Sequence, residues 1–280
     1  MKIKIISDST CDLPKAYADQ IGVELFPLTI IKNGESFKDN VTITPSEIFA
    51  HVAAGGSLCS TSAGNCADYS ELFAKFAGEF DGVLHISLGS CFSSSYQNAC
   101  VAAADFDNVK VVDSQNLSTG QGHVVLYAVA KAAECESLEQ LHADVQAYTE
   151  RVEASFLLNR LDYMVKGGRC SAAAALGANL LNLKPCIEVK NGKMGVTKKY
   201  RGNYAKCLAN YVKDRLDGRE DLVNDRIFMT YTTIGSECRD AVINAINQYG
   251  HFDEMMETTA GCTISCHCGP ETLGVLFVRK

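Results

Sequence analysis

No apolar run in this 280-residue chain approaches the ~18 residues needed to cross a bilayer. The opening Met1-Lys2-Ile3-Lys4-Ile5-Ile6-Ser7-Asp8 lacks the apolar stretch of a secretory signal. There is no long Lys/Arg block either. With 33 acidic against 26 basic residues the formal net charge is −7, which excludes a general binder of nucleic acid and leaves at most transient membrane contact. The 13 cysteines are odd in number and scattered, and no Cys-x-x-Cys occurs. A chain this long has no need of disulfides to replace missing core. These absences predict a soluble, reduced, cytoplasmic protein. Without coiled-coil heptads, a monomer is the default.

Several motifs are missing as well. The chain has no G-x-x-x-x-G-K-[ST], no G-x-G-x-x-G and no G-x-S-x-G, which argues against a P-loop, a Rossmann dinucleotide site and an α/β-hydrolase elbow. Cys262, Cys266, His267 and Cys268 look like metal ligands at first sight. His267 and Cys268 are adjacent, however, and no second Cys/His pair lies at finger spacing. Small core cysteines beside one functional histidine are the expectation, with no metal and no cofactor.

What is present is a globular composition, 47% hydrophobic and 21% charged, which excludes global disorder. The length suggests two domains. Lys2–Ile6, Leu25–Ile31 (interrupted by Pro27), Gly82–Ser87 and Val109–Asp113 read as strands. Tyr69, Leu72, Phe73 and Phe76 carry a helical period after Asn65, and residues 122–152 read as helical. Strand and helix in alternation predict an α/β first domain, 1–152, with a mainly parallel sheet flanked by helices. An α+β second domain is expected over 153–280. Its strand candidates are Phe156–Leu158, Cys186–Val189, Met194–Val196, Arg226–Tyr231, Thr263–Cys266 and Leu273–Val278, with a tight turn at Asn191-Gly192. Helical patterns lie at Ala172–Leu183, Tyr204–Leu216 and Cys238–Tyr249.

The candidate chemistry lies in hydroxyl-rich turns after predicted strands. Ser60-Thr61-Ser62 precedes one helix and Ser93-Ser94-Ser95 leads into another. Ligands of parallel sheets lie beyond the carboxyl ends of the strands, and hydroxyls with free N–H groups suit an anionic oxygen. The plainer alternative is that Thr61, Ser62 and Ser93 only cap their helices. His267 before Gly269-Pro270 reads either as a functional group or as a locally satisfied turn histidine. Lys166-Gly167-Gly168-Arg169 reads as a two-cation glycine turn or as a solvated loop. The small, apolar Ala172–Leu183 is a buried helix, against core or against a lipid-like ligand.

Taken in order, these pieces resemble the DegV family of bacterial fatty-acid-binding proteins over essentially the whole chain. The resemblance is carried by Ile6-Ser7-Asp8-Ser9-Thr10-Cys11-Asp12-Leu13, Ser60-Thr61-Ser62, Phe92-Ser93-Ser94-Ser95-Tyr96-Gln97-Asn98-Ala99 and Val112-Asp113-Ser114. It continues through Leu161-Asp162-Tyr163-Met164-Val165-Lys166-Gly167-Gly168-Arg169, Leu183-Lys184-Pro185, Arg201-Gly202 and His267-Cys268-Gly269-Pro270. The chain departs from the family pattern at Ala63-Gly64, where Gln-Pro is usual, and at Ser94-Ser95, where Gly-Thr is usual. The resemblance implies two domains with one long-chain fatty acid buried between them, and no turnover by the protein itself. It implies that the carboxylate is presented to a separate fatty acid kinase, which makes acyl phosphate from ATP. In that picture Thr61 and Ser93 donate to the carboxylate, Ser62 stands beside them, and His267 and Arg169 lie close to the headgroup. If protonated, His267 and Arg169 would stabilise developing phosphate charge. Arg201, with Arg169, belongs to the surface that meets the kinase, and Asp39 matches an acidic position near that surface.

Elementary energetics fit this division. Taking about fifteen methylenes out of water gains on the order of 12 kcal/mol gross, whereas a hydrogen bond to a carboxylate nets ~1.5–3 kcal/mol. The tail then supplies affinity and the hydroxyls fix the reactive oxygen. Two other readings stand beside it, a serine hydrolase using Ser93, His267 and Asp113, and a binding module for a non-lipid small carboxylate.

Overall fold

In the computed structural model of the chain, which describes residues 1–174 and 183–280, two lobes face each other across a shared apolar interior. The first lobe holds strands β1 (Ile3–Asp8), β2 (Glu24–Phe26), β3 (Thr29–Lys32), β4 (Glu35–Lys38), β5 (Ser60–Ser62), β6 (Gly82–Ser87) and β7 (Val109–Asp113). Its helices are α1 (Lys15–Gln20), α2 (Pro45–Ala53), α3 (Cys66–Ala77), α4 (Ser95–Ala103), α5 (Ser118–Ala132) and α6 (Leu138–Tyr148). In the second lobe are β8 (Val152–Leu158), β9 (Leu183–Lys190), β10 (Lys193–Arg201), β11 (Arg226–Tyr231), β12 (Glu254–Thr259) and β13 (Thr272–Val278). With them come α7 (Asp162–Gly167), α8 (Ser171–Ala174), α9 (Tyr204–Leu216), α10 (Ser236–Tyr249) and α11 (Cys262–Cys268).

The first-lobe sheet has the order β2-β1-β6-β7 and is parallel throughout. All six residues of β6 are buried, as a continuous run such as Gly-Val-Leu-His-Ile-Ser requires when helices cover both faces. Leu25–Ile31 is not one strand. Pro27, which cannot donate to a ladder, divides it, and β3 leaves for a small antiparallel sheet of order β4-β3-β5. The stretch 122–152 likewise contains two helices and a 3₁₀ turn, and Val152 already belongs to β8.

The second sheet has the order β10-β9-β8-β13-β11-β12, antiparallel except for β11 with β12. One face is covered by α9 and α10 around Tyr211, Val242 and Phe277. From the other face Phe156, Phe228 and Leu276 join the core of the first lobe, with the buried start of α5 wedged between the two sheets.

The expectation of a strand at Thr263–Cys266 is corrected: these residues form the middle of α11. Thr and Ile favour a strand locally, but the first lobe imposes a helix. Asp39 accepts from the N–H groups of Cys262 (2.7 Å) and Thr263 (3.2 Å), and Asp12 accepts from Gly261 N–H (2.8 Å). The helix stops at Gly269, whose φ of +75° and closeness to Tyr163 leave no room for a Cβ. Of the helix expected over Ala172–Leu183, residues 172–174 belong to α8 (Ser171–Ala174), residues 175–182 lie outside the described residues, and Leu183 is corrected from helix to the first residue of β9, where it pairs with Arg201.

Candidate functional site

A cavity of about 400 Å³, within the range of small-molecule sites, opens where the parallel strands β1, β2, β6 and β7 end. Leu28, Leu88 and Leu117, each just beyond a strand, give it an apolar wall, and Met164 and Met194 from the second lobe add to it. Thr61, Ser62, Ser93 and His267 line one region, together with Arg169. Among the described residues lining the cavity, Arg169 is the only charged side chain. Leu117, Ile264 and Cys268 also border a second, mostly apolar cavity of about 30 Å³ between the lobes, lined in addition by Phe156 and Leu276.

Thr61 is on the edge strand β5, held to β3 by pairing with Ile30. Its Oγ1 lies 2.8 Å from Nε2 of His267, 206 positions away in sequence. Burial, and then the neighbouring Arg169 cation, push the His267 pKa down to about 4, so the ring is neutral at pH 7. His267 therefore does not bring the positive charge that the family resemblance allowed it. Its Nδ1 is buried without a partner, and it faces Gly167 so closely that a Cβ there would come within 2.5 Å. A ring protonated on Nε2 leaves an unpaired acceptor at Nδ1 instead of an unpaired donor. On that ground we assign the proton to Nε2, which donates to Thr61 and leaves the threonine hydrogen free to point at a ligand.

The capping alternative separates the hydroxyls. Asn65, not Ser62 or Thr61, caps α3 through Asp68 N–H at 2.9 Å. Ser62 is exposed and bonds only its neighbour's carbonyl at 3.3 Å. Ser93 does accept from Ser95 N–H at 3.1 Å at the start of α4, and still lines the cavity. Asn98 Nδ2 donates to Gly64 O at 2.7 Å and ties the turn after Thr61 to α4.

Arg169 is exposed and is oriented by the carbonyls of Gly167 (2.7 Å) and Phe92 (3.5 Å). Arg201 is also exposed, at the end of β10, and does not line the cavity. Asp39 requires a correction: it is 1% exposed, so it presents no surface to a partner. Besides the two N–H groups of α11 it accepts from Thr263 Oγ1 (2.7 Å) and Ser9 Oγ (2.9 Å), and so positions the helix that carries His267.

A hydrolytic triad is not assembled. His267 is committed to Thr61, and Asp113 holds Ser90 Oγ (2.5 Å) and the N–H of Gln115 (2.9 Å). Among the described residues no group of three or more His, Cys, Asp or Glu converges as a metal site, and no helix is long and apolar enough to cross a membrane. Sequence reasoning missed Leu28, Asn98, Met194 and Ile264, ordinary residues that only the fold brings to the cavity.

The model of an uncharacterised protein family, the DegV family, matches residues 2–280. A DegV domain-containing protein of Clostridium acetobutylicum is 30% identical over 285 residues, 100% of this chain and 99% of its own. A DegV family protein from Thermus thermophilus, solved for its fatty acid binding, aligns with a TM-score of 0.90 at 28% identity over 100% of both chains. A stearic acid-binding protein from Eubacterium ventriosum aligns with a TM-score of 0.83 at 25% identity, over 99% of this chain and 98% of its own.

Proposed function

This chain belongs to the DegV family, and on that premise we propose that it binds one long-chain fatty acid and presents its carboxylate to a separate kinase. The observation that carries the reading is the asymmetry of the cavity: hydroxyls and one cation gather at Thr61, Ser93 and Arg169, and Leu28, Leu88, Leu117, Met164, Met194 and Ile264 supply apolar walls. Such a space matches an anion on an aliphatic tail better than a small polar carboxylate. It would leave a short ligand's apolar walls uncovered.

In this reading Thr61 and Ser93 donate to the carboxylate and Ser62 lies at its side. His267 acts through Thr61 as a neutral donor. Arg169 supplies the positive charge, first for the carboxylate and then for the phosphate that forms on it. Arg201 belongs to the surface met by the kinase. The two lobes, which divide at Val152 where β8 begins, act as the halves of the clasp. The fatty acid relatives in Thermus thermophilus and Eubacterium ventriosum support the ligand class.

Native mass spectrometry of protein purified from bacterial cells, followed by addition of a fatty acid kinase and ATP, tests both parts. One co-purified long-chain acid per chain, converted to acyl phosphate only when kinase is added, is expected. An empty protein that also fails to take up added acid would refute the binding role. A loaded protein that no fatty acid kinase can use would refute the presentation role alone.

A further inference from the structure

One glycine stands between the imidazole and the guanidinium of the candidate headgroup site. Gly167, the last residue of α7, accepts from Arg169 Nη1 through its carbonyl at 2.7 Å and turns its Cα to His267. A Cβ at Gly167 would lie 2.5 Å from His267 Nδ1, far inside ordinary contact. Among the described residues, the three heavy atoms nearest to such a Cβ all belong to that ring. The backbone itself does not ask for glycine here. Gly168 ends the helix at a φ of +70°, and among the described residues nothing lies within 4 Å of a Cβ there. Gly167 is still helical, where alanine is the better former. Its missing side chain is explained by the ring.

The fit is reciprocal. Tyr163, four residues before Gly167 and so on the same face of α7, packs at Gly269, where a Cβ would lie 2.7 Å from the tyrosine ring. Thus α7 gives a tyrosine to the glycine that ends α11, and takes the histidine of α11 at its own glycine. The imidazole is thereby held on two sides. Nδ1 and Nε2 lie at nearly opposite edges of the ring. Gly167 closes on the first, and Thr61 Oγ1 is 2.8 Å from the second. The ring cannot back away from Gly167 without running into Thr61.

We propose that Gly167 is a positioning residue for the headgroup: its bare Cα backs His267 against Thr61 while its carbonyl holds Arg169, so that one backbone unit sets both the neutral donor and the cation. The proposal rests on the fatty acid reading of the cavity and deepens it. Gly167 does not itself line the cavity.

The test is a cycle of Gly167→Ala, His267→Ala and the double variant in the full chain, titrated with hexadecanoate by displacement of a fluorescent acyl probe. Gly167→Ala should weaken hexadecanoate about fivefold, the worth of one neutral hydrogen bond. In the double variant the added methyl has no ring to meet, so hexadecanoate should bind as it does to His267→Ala. Stability follows the same logic. Any urea midpoint lost in Gly167→Ala should return in the double variant to that of His267→Ala, a rescue readable even where Gly167→Ala folds poorly. In protein labelled with ¹⁵N-histidine and free of lipid, the Nε2–H signal that His267→Ala removes should be displaced in Gly167→Ala. Effects that multiply in the double variant, a midpoint that is lost and not rescued, or an unaltered His267 signal would overturn the proposal. A native protein that binds no hexadecanoate while Gly167→Ala still displaces the His267 signal would refute the fatty acid reading and leave the packing of the ring confirmed.

Discussion

Thr61 and His267 form the one direct hydrogen bond joining the candidate headgroup residues, and it gives a clear expectation. Thr61→Val keeps the shape and removes the hydroxyl, leaving the imidazole N–H without an acceptor. Fatty acid affinity should fall by about tenfold, the value of one hydrogen bond to a carboxylate. The tail should still enter, so a displacement titration should find weakened but stoichiometric binding. Unaltered affinity would remove Thr61 from the headgroup site.

Three buried groups also set a pH profile for folding. Burial pushes His123 and His267 down to about 4. Burial pushes Asp12 up to about 8, against its bonds from Ser118 and Gly261, with Asp39 adding to the rise. From pH 4 to the ordinary histidine value of 6.5, the unfolded chain carries two imidazole protons that the folded chain lacks. Over the same range the folded chain keeps one proton on Asp12 that the unfolded chain has lost. The net excess of one proton in the unfolded state makes stability rise with pH by ~1.4 kcal/mol per unit. Above 6.5 only Asp12 differs, and stability falls with a similar slope until about pH 8. Urea midpoints should therefore peak near pH 6.5, and Asp12→Asn should abolish the alkaline decline. A flat native profile over this range would contradict these burial effects.

At the scale of elements, α11 shows where sequence reading succeeds and where it stops. The strands Gly82–Ser87, Val109–Asp113 and Arg226–Tyr231 and the helix Tyr204–Leu216 were legible to their ends, because continuous burial or a one-sided period is written in neighbouring residues. For α11 the local pattern pointed to a strand, and the helix depends on Asp39, more than two hundred positions away. Similarly β12, Glu254-Met255-Met256-Glu257-Thr258-Thr259, carries too little apolar alternation to be read as a strand. If Asp39 is the clasp of α11, then Asp39→Ala leaves two helix N–H groups and two hydroxyls without their acceptor. A loss of about 3 kcal/mol in unfolding free energy is expected by chemical denaturation. A loss below about 0.5 kcal/mol, the level of an ordinary surface substitution, would contradict the part given to Asp39 in holding α11.

For the whole molecule, the hydroxyl turns and the two-cation turn were visible as separate motifs, and the family resemblance supplied their order. Their meeting was not visible. No spacing rule links Thr61 to His267, and the neutral state of His267 follows from burial between the lobes. The apolar surface that Leu117, Ile264 and Cys268 share between two neighbouring cavities is likewise a product of two sheets packing face to face. The central claim is therefore about placement, and a crystal structure of the protein with hexadecanoate tests it most directly. One acid per chain should be seen, with its carboxylate within hydrogen-bond reach of Thr61 Oγ1 and Ser93 Oγ and its tail running past Ile264 between the lobes. A headgroup at the far end, or a cleft that stays closed to the lipid while Thr61 and Ser93 bond elsewhere, would contradict the account.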